Sequence, residues 1–146
     1  MHGVPKANGL RMIRNIIAAE DETLSQIAGV LGTARPNFLL LPPMCVALGA
    51  SAAWTTHGAI DGMHLALVLI GALLAHASVN LLNEYDDFSS GLDAMTDRTP
   101  FSGGSGVLPA QPQLASATRA AGWVTLIGTM AIGVYFVAIR GWGLLP

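Results

Sequence analysis

The chain has 146 residues, a length that suits one domain, and 52% of them are hydrophobic against only 11% charged. An ordinary soluble domain is roughly 25% charged, so this balance points to a membrane protein. The net charge of −2 excludes nucleic acid as a partner, because phosphate binding needs a basic surface; the single cysteine, Cys45, excludes an internal disulfide framework or a cysteine-built zinc site.

Residues 10–34, "LRMIRNIIAAEDETLSQIAGVLGTA", place Ile13, Ile16, Ile17, Leu24, Ile27 and Leu31 at helical spacing with charges between them. That pattern predicts an amphipathic helix, or a helix pair, lying on the membrane surface. Three apolar segments free of Asp, Glu, Lys and Arg follow: 36–60, 62–83 and 120–139. Each is about the 20 residues that a spanning helix needs. Hydrocarbon offers no water to backbone groups, so such segments are expected to be helices. Pro42-Pro43 is expected to kink or break the start of the first. Residues 84–119, rich in Gly, Ser, Pro and Thr, read as a long loop containing "RTPFSGGSGVLPAQPQ". The expected fold class is therefore all-α. It is a polytopic membrane helix bundle of about three transmembrane helices, preceded by an amphipathic surface helix, in a single membrane domain over 1–146.

Basic residues set the expected orientation. Lys6, Arg11, Arg14 and Arg35 precede the first span, and the first connection has none. Arg98 and Arg119 belong to the second loop, and Arg140 follows the third span. The positive-inside rule then puts the N-terminus and the Asp-rich loop on the cytoplasmic side of a multi-pass protein of the cell membrane.

Five of the nine acidic residues, Glu84, Asp86, Asp87, Asp93 and Asp97, fall within fourteen positions. A carboxylate left in hydrocarbon costs roughly 2.5–3.5 kcal/mol on insertion scales, so these groups need partners or water. His76, Asn80, Asn83 and Asp87 are spaced four, three and four apart, which stacks them on one helix face. Two readings stand for His76 and Asn80: hydrogen bonding to a neighbouring helix, or lining of a polar cavity. Asn83 and Asp87 lead into a carboxylate cluster whose own loop supplies only Arg98 as a cation. Such an oxygen-rich, cation-poor set suits Mg²⁺, which binds through one or two carboxylates plus substrate phosphates. The glycines of "SGGSG" would offer backbone N–H groups to a phosphate, or they form a flexible loop.

At "NEYDDFSSGLD" the sequence resembles the UbiA superfamily of intramembrane prenyltransferases, whose first Asp-rich motif is similarly built. The form N-(D/E)-Y-x-D-x-x-x-G-x-D is most similar to the branch that prenylates 1,4-dihydroxy-2-naphthoate in menaquinone synthesis. "ARPNF", with Arg35-Pro36 before the first span, resembles that family's lead-in to its first helix. Glu84 departs from the usual Asp. Family members have about nine spans and a second Asp-rich motif, so the resemblance implies that the chain corresponds to the N-terminal part of such an enzyme.

The resemblance implies Mg²⁺-dependent transfer of a polyprenyl group from a prenyl diphosphate to an aromatic acceptor. Asn83, Asp87 and Asp93 would carry the chemistry as direct or water-bridged metal ligands, with Glu84 as a further ligand. Arg98, Arg35 and Asn80 would contact substrate, although Arg98 reads equally as an exposed loop cation. The alternative is a non-catalytic three-span membrane subunit whose acidic loop binds a cation or a partner. The expected topology is checked by labelling single cysteines at Ser102 and Gly143 in a Cys45→Ala background. In intact cells Gly143→Cys should react with an impermeant reagent and Ser102→Cys should not; the reverse pattern overturns the orientation.

Overall fold

In a computed structural model, the structure describes residues 6–95 and 104–144. These are helical throughout their regular parts, with no strand among them. The first helix, α1 (Lys6–Thr33), is continuous, and its large apolar side chains from Leu10 to Ile27 are exposed. Its C-terminal end is held inside the molecule, where Thr33 and Ala34 are buried. The chain then turns sharply at Arg35, whose φ of 53° lies in the left-handed region. For a residue with a Cβ that conformation is uncommon and persists only where the surroundings enforce it.

A short 3-10 turn (Pro36–Phe38) leads into α2 (Leu41–His57). Pro42-Pro43 falls in the first turn of α2. There the missing N–H groups have no helical partner to lose, so the pair starts this helix instead of kinking it. Gly58 ends α2 at φ 69°. Three residues later the Asp61 carboxylate caps the next helix by accepting from the His64 backbone N–H at 3.0 Å. That hydrogen bond is the main cause holding the Asp61 carboxyl below its usual range.

The spine of the molecule is α3 (Gly62–Ser90), 29 residues long. It runs straight through Glu84, Asp86 and Asp87, so the loop expected from residue 84 begins only at Gly91. The reason is local: nothing between Asn83 and Ser90 breaks a helix, and Gly91, with φ 78°, is the first residue suited to end one. A single turn, α4 (Leu92–Met95), follows. Further on come α5 (Val107–Ala110), a 3-10 turn (Pro112–Leu114), α6 (Ala115–Arg140) and a final 3-10 turn (Trp142–Leu144). Three helical stretches are long and apolar enough to cross a membrane: Pro36–His57, Gly62–Ser90 and Pro112–Arg140.

Helices α3 and α6 pack antiparallel along their length. Near one end Leu81 and Leu82 meet Gly122, in the middle Leu74 meets Gly128 and Gly71 meets Ile132. At the other end the His64 ring lies 3.3 Å from the Tyr135 hydroxyl and packs on Phe136. The glycines let the helices approach, as small residues do where lipid supplies no hydrophobic drive. The outer faces remain uncovered: Leu48 and Trp54 of α2, and Val124, Ile127 and Met130 of α6, are exposed. Such faces suit contact with lipid chains.

A Cβ at Gly122 would stand 2.8 Å from two carbons of Leu82. Gly122→Val should therefore cost about 1–3 kcal/mol by overpacking, read as a lower unfolding midpoint in detergent. Adding Leu82→Ala should recover part of that loss. Strictly additive losses would mean that the two helices do not meet at this point.

Candidate functional site

The carboxylate of Glu84 is densely hydrogen-bonded. It is 0% exposed, yet it sits on the helix that carries the acidic motif. Arg35 approaches it from the elbow between α1 and α2, with Nη2 at 3.2 Å and Nε at 3.4 Å from Oε2. From the other side Ser105 donates its backbone N–H to both carboxylate oxygens, at 3.0 and 2.9 Å. The Ser105 hydroxyl donates to Oε1 as well, and accepts from the Val107 N–H at 3.1 Å. One side chain thus joins three separate parts of the chain.

One turn earlier on α3, Asn80 Nδ2 donates to the Ala34 carbonyl at 3.0 Å. This amide bonds across to the elbow, so the first of the two readings open for Asn80 describes its position here. His76 Nε2, a further turn back, is buried without a hydrogen-bond partner among the described residues. Asn80 and Glu84 together fasten α3 to residues 34 and 35.

The other acidic groups are placed differently. Asn83 and Asp86 are exposed and Asp87 is half-buried. Among the described residues, no ion pair or hydrogen bond involves the side chains of Asp86 and Asp87. Asp93 opens α4 and is half-buried, with its carboxylate against Gly104. Only a glycine fits there: a Cβ would lie 2.6 Å from Asp93 Oδ1, and the φ of 75° is left-handed. Arg98 and Asp97 lie outside the described residues.

Asn83 and Asp87 share a helix turn, and Asp93 follows just past the Gly91 turn. No three of His, Cys, Asp and Glu come together so as to hold a metal ion among the described residues. By donor chemistry alone, the oxygens of Asn83, Asp87 and Asp93 suit a hard divalent cation that keeps waters and takes phosphate oxygens. It does not fit a softer metal, which would call for imidazole or thiolate ligands.

A second feature lies on the opposite side of α3. Arg119 stacks over the Tyr85 ring at 5.2 Å from its centroid. The two line an open groove of about 670 Å³ with Gln113, Ser116 and Trp123. Tyr85 is two residues from both Asn83 and Asp87, roughly 200° around the helix, so this groove lies away from the face that bears those two residues.

Sequence reasoning counted cations only within the acidic loop and so missed the partner of Glu84. Arg35 stands 49 positions away and becomes a neighbour only when the elbow folds back. Ser105 was hidden inside "SGGSG", where nothing distinguishes a hydrogen-bonding serine from a flexible one.

The described residues define an all-helical bundle with three helices able to span a membrane and a cluster of acidic side chains at the end of its central helix. A stretch of 48 residues is 42% identical to UbiA prenyltransferase domain-containing protein 1 of Danio rerio, and to that of Homo sapiens at the same identity and length. It amounts to 33% of this chain and 14% of each relative, so the chain spans only a small part of the curated relatives that it matches. The similarity supports the UbiA superfamily. No protein-family model and no solved structure matches the chain.

Removing one partner of a buried ion pair strands the other, at a cost of about 3–5 kcal/mol. Arg35→Ala should show that loss in thermal unfolding of the purified chain. Arg35→Met combined with Glu84→Gln, which keeps an acceptor for Ser105 but removes both charges, should recover most of it. Equal stability of Arg35→Ala and wild type would show that Arg35 does not balance Glu84.

Proposed function

We propose that this chain takes part in Mg²⁺-dependent transfer of a polyprenyl group from a prenyl diphosphate to an aromatic, quinone-precursor acceptor such as 1,4-dihydroxy-2-naphthoate. The transfer takes place within the membrane. The observation that carries this reading is the placing of Asn83 and Asp87. They stand one turn apart at the end of a helix able to span a membrane, with no cation beside Asp87 among the described residues. The partial similarity to UbiA prenyltransferase domain proteins points the same way.

The chemistry needs a group that neutralises the charge growing on diphosphate as the allylic C–O bond breaks, and a bound Mg²⁺ supplies it. Asn83, Asp87 and Asp93 are the residues that would hold that ion. Their own role is binding and orientation: carboxylates and a diphosphate repel each other, and only a shared cation reconciles them. Arg98 is a candidate contact for diphosphate oxygens. Apolar faces of the spans would carry the isoprenoid tail, at roughly 0.8 kcal/mol per buried CH₂. In this reading the Asp-bearing end faces the cytoplasm, where soluble Mg²⁺ and diphosphate are found.

Binding of a non-reacting prenyl diphosphate analogue tests the proposal directly. Wild type should bind it in a Mg²⁺-dependent manner, Asp87→Ala should abolish that binding, and His76→Ala should keep most of it. Identical binding by wild type and Asp87→Ala, with and without chelator, would remove the case for this site. The fold of Asp87→Ala should hold, since losing one of several neighbouring carboxylates relieves like-charge crowding.

A further inference from the structure

We propose that Glu84 is a positioning residue: acting through Ser105 and Gly104, it sets where the Asp93 carboxylate stands and so completes the face that Asn83 and Asp87 begin. The inference rests on the metal-binding reading given above, and it assigns Glu84 a different part from that of a ligand.

Glu84 is poorly placed to hold a metal itself. Its side chain is wholly buried, and both oxygens already accept hydrogen bonds, from the Ser105 N–H and hydroxyl and from Arg35. An ion would have to displace these donors. What Glu84 does instead is fix Ser105 at three points. Two donors from Ser105 meet its oxygens, and the serine hydroxyl is oriented again by the Val107 N–H. The residue before Ser105 is Gly104, joined to it by a planar peptide. Gly104 in turn lies against Asp93, so closely that a single added carbon would collide with Oδ1. The path from Glu84 to Asp93 is therefore one hydrogen-bonded residue, one peptide and one van der Waals contact.

Arg35 makes the arrangement rigid. Its guanidinium holds Oε2 from one side while Ser105 holds both oxygens, so the carboxylate has little freedom to turn. The left-handed backbone at Arg35 is then understandable as the conformation that aims its side chain at α3.

The test uses the full chain in lipid nanodiscs, with Mn²⁺ as the probe and its EPR spectrum as the readout, beside a thermal unfolding curve for each variant. Ser105→Ala should lower Mn²⁺ affinity about tenfold, the range seen when residues that orient metal ligands are lost. It should change the spectrum in the same sense as Asp93→Ala. Ser105→Thr, which keeps the hydroxyl, should restore both. In an Asp93→Ala background, Ser105→Ala should add nothing further, because the ligand that it positions is already gone.

Several results would overturn the proposal. A loss from Ser105→Ala that is as large without Asp93 as with it breaks the link between them. A fall in stability with unchanged Mn²⁺ affinity leaves Ser105 and Glu84 a structural role only. Loss of Mn²⁺ on Glu84→Gln with none on Ser105→Ala makes Glu84 a ligand. If Asp87→Ala leaves Mn²⁺ binding intact, the metal site itself falls and this inference falls with it. Binding that depends on Asp87 but ignores Ser105 defeats the positioning role alone.

Discussion

The ion pair between Glu84 and Arg35, with the Asn80–Ala34 hydrogen bond one turn away, holds together parts of the chain that lie far apart in sequence. Taking a carboxylate wholly out of water is costly, and attraction to a partner repays that cost only when every remaining lone pair is also met. Arg35 supplies the charge and Ser105 the remaining donors. As a result the end of α1, the elbow before α2, the acidic end of α3 and the strand of chain leading into α5 all meet at one point. Beside that point, Gly29 and Gly32 of α1 pack closely against Leu114 and Val107.

Around this polar junction the rest of the bundle is held by close contact. Gly71, Gly122 and Gly128 remove side chains at places where α3 and α6 cross, so that leucines and an isoleucine from the facing helix fill the space. The two kinds of interaction divide the molecule. Shape fixes how α3 and α6 lie, and charge fixes what is attached to the acidic end. A site placed on α3 gains from both, because the helix that bears Asn83 and Asp87 is braced on one side by α6 and tied on another to Arg35.

Much of the fold could be read from the residues. Three uncharged apolar segments became three helices of spanning length, and the periodic apolar residues of 10–34 became one helix. The boundaries were harder. The first charge marks the end of the second apolar run, yet backbone hydrogen bonding continues past Glu84 until glycine permits a turn. Hydropathy tells where a helix leaves lipid, and that is a different question from where the helix stops. In the same way, the spacing of Asn80 and Asn83 showed a shared stripe but could not show what faces it. Asn80 meets a backbone carbonyl of the elbow, a group that no sequence pattern marks. The pairing of residues 35 and 84 depends on long-range folding, and the resemblance that singled out both gave no hint that they touch.

The length of α3 works as a depth gauge. Twenty-nine residues rise about 43 Å, against roughly 30 Å of hydrocarbon. With the Asp61 cap at one boundary and the helix near the membrane normal, the opposite boundary falls close to Leu81. Asn83 and Asp87 then stand a few ångströms beyond it, level with the lipid headgroups. At that height water lies on one side and hydrocarbon on the other. Two solvents that exclude one another's solutes are thus both within reach of a single turn of helix.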